Sequence, residues 1–87
     1  MRNATVSKFP EQTSHRNNVA AAVRAHMGVR QIKDAALARE IGMTQSTMSR
    51  RTNGEMPFDV DELGRIARVF GISLVELISM PKGHPSD

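Results

Sequence analysis

Hydrophobic positions recur along the chain at helical spacing, in short runs that each end on a turn signal. Val19, Val23 and Met27 stand at i, i+4 and i+8, with the small Ala20 and Ala22 beside them. This stripe predicts a first helix from His15 to about Arg30, capped by Ser14 and continuing through Gly28 at a cost of about 1 kcal/mol relative to alanine. A three-residue loop, Gln31–Lys33, follows, and Ile32 drops from it into the core. Leu37, Ala38 and Ile41 share one face of a second helix, and Asp34 supplies negative charge at its N-terminal end. Gly42 tolerates positive φ, so the chain can reverse there within a few residues. Thr44 reads as the N-cap of a third helix and Gly54, after Asn53, as its stop, with Met43 and Met48 pointing back into the core.

The second half repeats the grammar. After a loop at Glu55–Phe58 bounded by Pro57, Asp59 is an N-cap with Glu62 three residues on, a capping-box pairing. Leu63, Ile66, Ala67 and Phe70 form the stripe of a fourth helix that Gly71 ends. Ser73 caps a short fifth helix with Leu74, Leu77 and Ile78 inward, and Pro81 halts it. Residues 1–13 lack helical periodicity and contain Pro10, so they read as a flexible arm whose Arg2 and Lys8 can follow a phosphate backbone. Residues 14–80 form one domain, and residues 81–87 a disordered tail. The fold class is all-α, a compact five-helix bundle.

The third helix is the unusual one. Apart from Met48 its surface is crowded by Gln45, Ser46, Thr47, Ser49, Arg50 and Arg51, every one able to donate a hydrogen bond. An unpaired polar and basic face on a short, well-capped helix suits the DNA major groove, and two short helices hinged at a glycine make a helix-turn-helix. A solvated polar helix surface is the plain alternative for that face taken alone. Gln45, at the helix start, can pair with adenine N6 and N7, and Ser46 beside it can donate or accept. Arg50, one turn on, is long enough for guanine O6 and N7. Ser49 is shorter and ranks below them as a base reader. Thr44, Arg51, Asn53 and Lys33 are expected at phosphates, with the first amides of the second helix beside Lys33.

The spacing Leu37-Ala38, three residues, Gly42-Met43-Thr44, three residues, Met48-Ser49, four residues, Gly54 resembles that of phage repressor and Cro-type (lambda repressor-like, XRE) helix-turn-helix domains. Pro57 to Ser73 resembles that family's fourth helix and exit turn, and the likeness runs from about Val19 to Ile78. It implies a lambda repressor-like fold, a base-reading residue at Gln45, and dimers on approximately palindromic operators. Three positions depart from the pattern. Asp34 stands where the family commonly has a phosphate-contacting glutamine. Thr52 replaces a glutamate that often pairs with a first-helix arginine, and Met27 stands at the arginine's place, so an apolar joint is expected there. Arg51 falls where an apolar residue is usual, its stem covering the core edge and its guanidinium remaining wet.

Composition narrows the function classes. Residues 1–54 carry nine Lys/Arg against three Asp/Glu, a balance of +6, and residues 55–87 carry three against six, a balance of −3. A polyanion would meet one half of the molecule and be repelled by the other. There is no cysteine, so neither a disulfide framework nor a thiolate metal site is expected, and His15, His26 and His84 lack metal-ligand spacing. No phosphate loop, dinucleotide fingerprint or nucleophile elbow is present, so no enzyme and no cofactor is expected. The apolar stretches are too short to span a bilayer and no signal peptide opens the chain, which points to the cytoplasm. The expected function is sequence-specific binding of double-stranded operator DNA by a homodimer, repressing transcription as a Cro-like protein or short immunity repressor. The alternatives are the antitoxin of a toxin–antitoxin pair and a protein-interaction adaptor that keeps the fold without binding DNA.

Overall fold

Each hydrophobic stripe becomes one helix face, and the chain turns where the stripes stop. The computed structural model describes residues 4–82, with side chains described from residue 15 onward. Its elements are α1 (Ala4–Arg30), α2 (Asp34–Ile41), α3 (Gln45–Thr52), α4 (Val60–Phe70) and α5 (Leu74–Leu77), and among the described residues there is no strand. Of the two terminal segments set apart in the sequence, residues 1–3 and 83–87 lie outside the described residues, as does the side chain of Lys8.

The first helix begins well before the expected start at Ser14, which is an interior helical position. Pro10 lies within it. Lacking an amide hydrogen, it leaves the carbonyl four residues earlier without its helical bond, a cost that an interior proline always brings. At the other end Gln31 takes a left-handed conformation, φ 55°, while the Ile32 amide reaches back to the Met27 carbonyl at 3.0 Å. That Schellman-type closure carries α1 through Gly28 and turns Ile32 against the core. Gly42, at φ 76°, closes α2 in the same way, with the Met43 amide bonded to the Ala38 carbonyl at 2.8 Å.

Val23 and Met27 of α1, Leu37, Ala38 and Ile41 of α2, Met48 of α3, and Ile66 and Ala67 of α4 meet in one core. Ala38 is buried in the α2 face that packs on α3. The fifth helix differs from expectation: Leu77 is fully buried, but Leu74 and Ile78 are exposed. A helix of a single turn presents one residue to the core, and with Leu77 aimed inward Leu74 and Ile78 fall to either side. His26 supplies a polar tie to α5 that the spacing did not reveal. Its buried ring lies with Nε2 at 2.8 Å from the carbonyl oxygens of both Glu76 and Ser79. Those oxygens only accept, so Nε2 carries the hydrogen. Arg30 donates to the His26 carbonyl at 3.1 Å and stacks over Phe70, 4.5 Å from the ring centroid.

Candidate nucleic-acid interface

The third helix has eight residues, too few to persist alone, so its neighbours must hold it. Its N-terminus is capped as expected: Thr44 Oγ1 accepts from the Thr47 amide at 3.1 Å and donates to Thr47 Oγ1 at 3.0 Å. Met48 and Thr52, one turn apart, are the buried residues that define its inner side. At 100° per residue, Ser46 and Arg50 then point the opposite way, and both are exposed. Gln45 is exposed at the first turn. Among the described residues none of these three side chains has a hydrogen-bond partner.

The two flanks of α3 are tied down. On one flank Ser49 Oγ donates to Asp34 Oδ2 at 2.9 Å, and Thr52 Oγ1 lies 3.2 and 3.3 Å from the two Asp34 oxygens. On the other, Arg51 Nε donates to Glu62 Oε1 at 2.8 Å. The same Glu62 oxygen accepts from the Asp59 amide at 2.9 Å, and Asp59 Oδ1 accepts from the Glu62 amide at 2.7 Å, completing the capping box of α4. The hydrogen bond to Glu62 holds the Arg51 guanidinium above its ordinary pKa against the opposing effect of burial. Arg51 is thus bonded inside the domain instead of standing wet at the core edge.

The remaining expected contact residues divide. Asn53 is occupied locally, its amide nitrogen donating to Glu55 Oε2 at 3.1 Å and its oxygen accepting from the Glu55 amide at 3.1 Å. Gly54 follows at φ 86°, packed so closely that an added Cβ would lie 2.6 Å from Asn17 Oδ1 of α1. Lys33 is the N-terminal boundary residue of α2, exposed, with no side-chain hydrogen bond among the described residues. Gln45, Ser46, Arg50 and Lys33 thus stay available, whereas Ser49, Arg51 and Asn53 serve intramolecular bonds and Thr44 serves the cap.

The joint between α1 and α3 is polar, not the apolar substitution expected at Met27 and Thr52. Met27 is buried in the core, but the buried Thr52 bonds Asp34 and the Ser49 carbonyl, and Arg24 Nη1 donates to the Thr52 carbonyl. Arg24 and Glu62 are the partners that sequence reasoning missed. Both pairings join residues far apart in the chain, and no local pattern announces them.

Comparison with known proteins agrees with this geometry. A helix-turn-helix family model matches residues 21–77. No curated protein sequence matches. Among solved structures, the clp gene regulator ClgR from Corynebacterium glutamicum superposes with a TM-score of 0.69 at 17% identity, over 74% of this chain and 68% of that one. A second structure of ClgR gives a TM-score of 0.68 at 17% identity, over 74% of this chain and 83% of that one. Cobalt(II) HppE in complex with substrate gives a TM-score of 0.64 at 30% identity, over 83% of this chain but 40% of that one. At such coverage the likeness to HppE concerns a part of that protein.

Proposed function

Because the chain belongs to the helix-turn-helix family, in its lambda repressor-like (XRE) form, we propose that it binds a specific double-stranded DNA sequence through α3 and represses transcription by occupying an operator. The observation that carries this reading is the division of labour on α3. Ser49, Thr52 and Arg51 are spent on holding the helix, while Gln45, Ser46 and Arg50 face outward, exposed and without a partner among the described residues. The bonds on both flanks hold the outward face in one orientation, as reading a base edge requires. Gln45 is assigned to an adenine edge, Arg50 to a guanine edge, and Ser46 to a neighbouring base. Lys33 is assigned to phosphate, and Thr44 meets the backbone only as far as its cap leaves it free.

Pairing of two chains on a palindromic site is assigned to the surface around α5. Val75 is 71% exposed and Val29 of α1 is 61% exposed, and with Ile72 and Met80 they line one cleft of about 360 Å³. Leu74 and Ile78 are also exposed on α5 and its end.

The test begins by selecting bound fragments from random DNA. Gln45→Ala and Arg50→Ala should each lose about 1–3 kcal/mol on the selected duplex and much less on random DNA. Lys33→Ala should weaken both by similar factors and lower the salt slope by about one unit. Equal losses on both duplexes for Arg50→Ala would place it at phosphate, and no loss from any variant would remove α3 from the interface.

A further inference from the structure

Asp34 has no part in the base contacts assigned above, yet two hydroxyl groups of α3 bond its carboxylate. It is the first residue of α2, partly buried, and hydroxyl groups from α3 converge on it: Ser49 Oγ at 2.9 Å, and Thr52 Oγ1 at 3.2 and 3.3 Å. Thr52 in turn receives Arg24 on its carbonyl, so α1, α2 and α3 are joined through one chain of polar contacts. A cleft of about 360 Å³ opens beside it, lined by Arg24, Lys33, Asp34 and Thr52 among others, so the carboxylate lies close to solvent.

Two consequences follow from elementary physics. Hydrogen bonds to an ionised acceptor are strong and directional, so two hydroxyls on successive turns of one side of α3 fix its rotation about its own axis. Ser49 directly precedes Arg50 and lies one turn beyond Gln45, so a rotation that loosened Ser49 would swing both proposed base readers. The second consequence is electrostatic. Phosphate attraction is indifferent to sequence, and α3 carries basic residues and no acidic one. A carboxylate held against it subtracts from binding to any DNA without subtracting from a base contact.

We propose that Asp34 is a specificity-setting positioning residue: through Ser49 and Thr52 it fixes the rotation of α3 for base reading, and its charge weakens binding to DNA of every sequence. The proposal rests on the reading of α3 as the DNA-contacting helix. The positioning sets the ratio of specific to random affinity, and the charge lowers both affinities alike. Ser49, on this account, governs specificity without touching a base.

The probes are a duplex selected by the wild-type chain and a scrambled duplex of equal length. Asp34→Asn keeps the shape and one acceptor oxygen but removes the charge. It should raise affinity for the scrambled duplex about two- to tenfold at low salt, a gain that fades as salt screens it. The ratio of selected to scrambled affinity should fall about tenfold, the loss of one well-aligned base contact. Ser49→Ala leaves the charge in place, so it should lower the ratio by a similar factor while scrambled binding stays within about twofold, and Ser49→Thr should restore most of the ratio. The double variant Asp34→Asn/Ser49→Ala should have a ratio no lower than either single one, because both cut the same link. Circular dichroism melts establish that each variant is folded at the temperature of measurement. If Asp34→Asn is not folded, the Ser49→Ala and Ser49→Thr pair decides, since Ser49→Ala keeps the Thr52 bonds.

A ratio within about twofold of wild type in Asp34→Asn or Ser49→Ala overturns the proposal, as does a further fall in the double variant, which would make Ser49 a base reader in its own right. Gln45→Ala and Arg50→Ala are measured alongside. If they too leave the ratio unchanged, the reading of α3 has failed. If they lower it while the Asp34 and Ser49 variants do not, only the present inference has failed.

Discussion

Replacing Arg51 by alanine separates a structural arginine from its neighbour Arg50, which has the same charge and sits one residue away. The Arg51 side chain is 18% exposed and that of Glu62 9%, so the pair lies between the exposed and buried limits. Opposite charges about 4 Å apart at an effective dielectric of about 20 attract by roughly 4 kcal/mol. Partial desolvation and the rotamer freedom of the arginine offset about half of that. Glu62 keeps the Asp59 amide at 2.9 Å in the variant, so its carboxylate is not stranded, and a net loss of about 2 kcal/mol is expected. For a domain of this size that corresponds to a fall in Tm of about 8–16 °C. The sign of the pH dependence follows from the raised Arg51 pKa: the contribution is fully present below the ordinary arginine value and is lost only as pH rises through the raised one. The loss should therefore be the same at about pH 6 and pH 8. Urea unfolding followed by circular dichroism measures it, with the salt slope of random-DNA binding measured on the same samples. Arg51→Ala should destabilise with an unchanged slope, whereas Arg50→Ala should keep its stability within about 0.5 kcal/mol and lose operator affinity. A loss under about 0.5 kcal/mol for Arg51→Ala, with the slope reduced by one unit, would assign its guanidinium to phosphate and refute the reasoning.

Five further outcomes are expected. Gly28→Ala should raise stability by at most about 1 kcal/mol, because Gly28 lies in the last turn of α1 and, beyond its neighbours and the helix's own backbone, nothing lies within 4 Å of the added Cβ. Gly54→Ala should lower it, since φ is 86° and the new Cβ meets Asn17 Oδ1, and adding Asn17→Ala should recover only the part due to the clash. Ala38→Phe should loosen or unfold the domain in thermal melts, because Ala38 is fully enclosed in the α2 face that packs on α3, and a fully stable variant would mean that the crossing is misplaced. Val75→Asp should abolish the proposed pairing while leaving a folded monomer by light scattering. Half-sites on the selected DNA should lie roughly 34 Å apart, one helical turn, and a single unrepeated half-site bound by one chain would contradict the dimer.

Where the sequence was legible, the governing physics was local. Gly42 and Gly71 lie at φ 76° and 71°, and Asp59 and Ser73 form complete capping boxes, all within a few residues of the pattern that announced them. The stripes at Val23/Met27, Leu37/Ile41 and Ile66/Ala67 became core for the same reason, a period of 3.6 matched to one packed face. What escaped was set by tertiary contact. Leu74 and Ile78 carry the hydrophobicity of a core helix, but a one-turn helix has room to bury only Leu77. Arg51 and Arg50 are indistinguishable by type, and only the approach of α4 recruits one of them. Thr52 and Asp34 are eighteen positions apart, and their bond exists because α2 and α3 cross there.

The short length of α3 explains why its polar face and its polar supports occur together. Eight residues with Met48 as the single large buried side chain cannot be anchored by apolar area alone. The additional hold comes from the Thr44 cap, the Asp34 bonds and the Arg51–Glu62 pair, which grip the ends and flanks and leave the outward face chemically free. On the proposed reading, stability and recognition thereby fall on different residues of one helix, and exchanging the exposed Ser46 and Arg50 should change the DNA sequence bound while the grip is kept. Ser49 belongs to the grip, although its position in the chain, between Gln45 and Arg50, groups it with the readers. Sequence position alone does not reveal that bond, and the hydroxyl's direction toward Asp34 is what the proposed division of roles rests on.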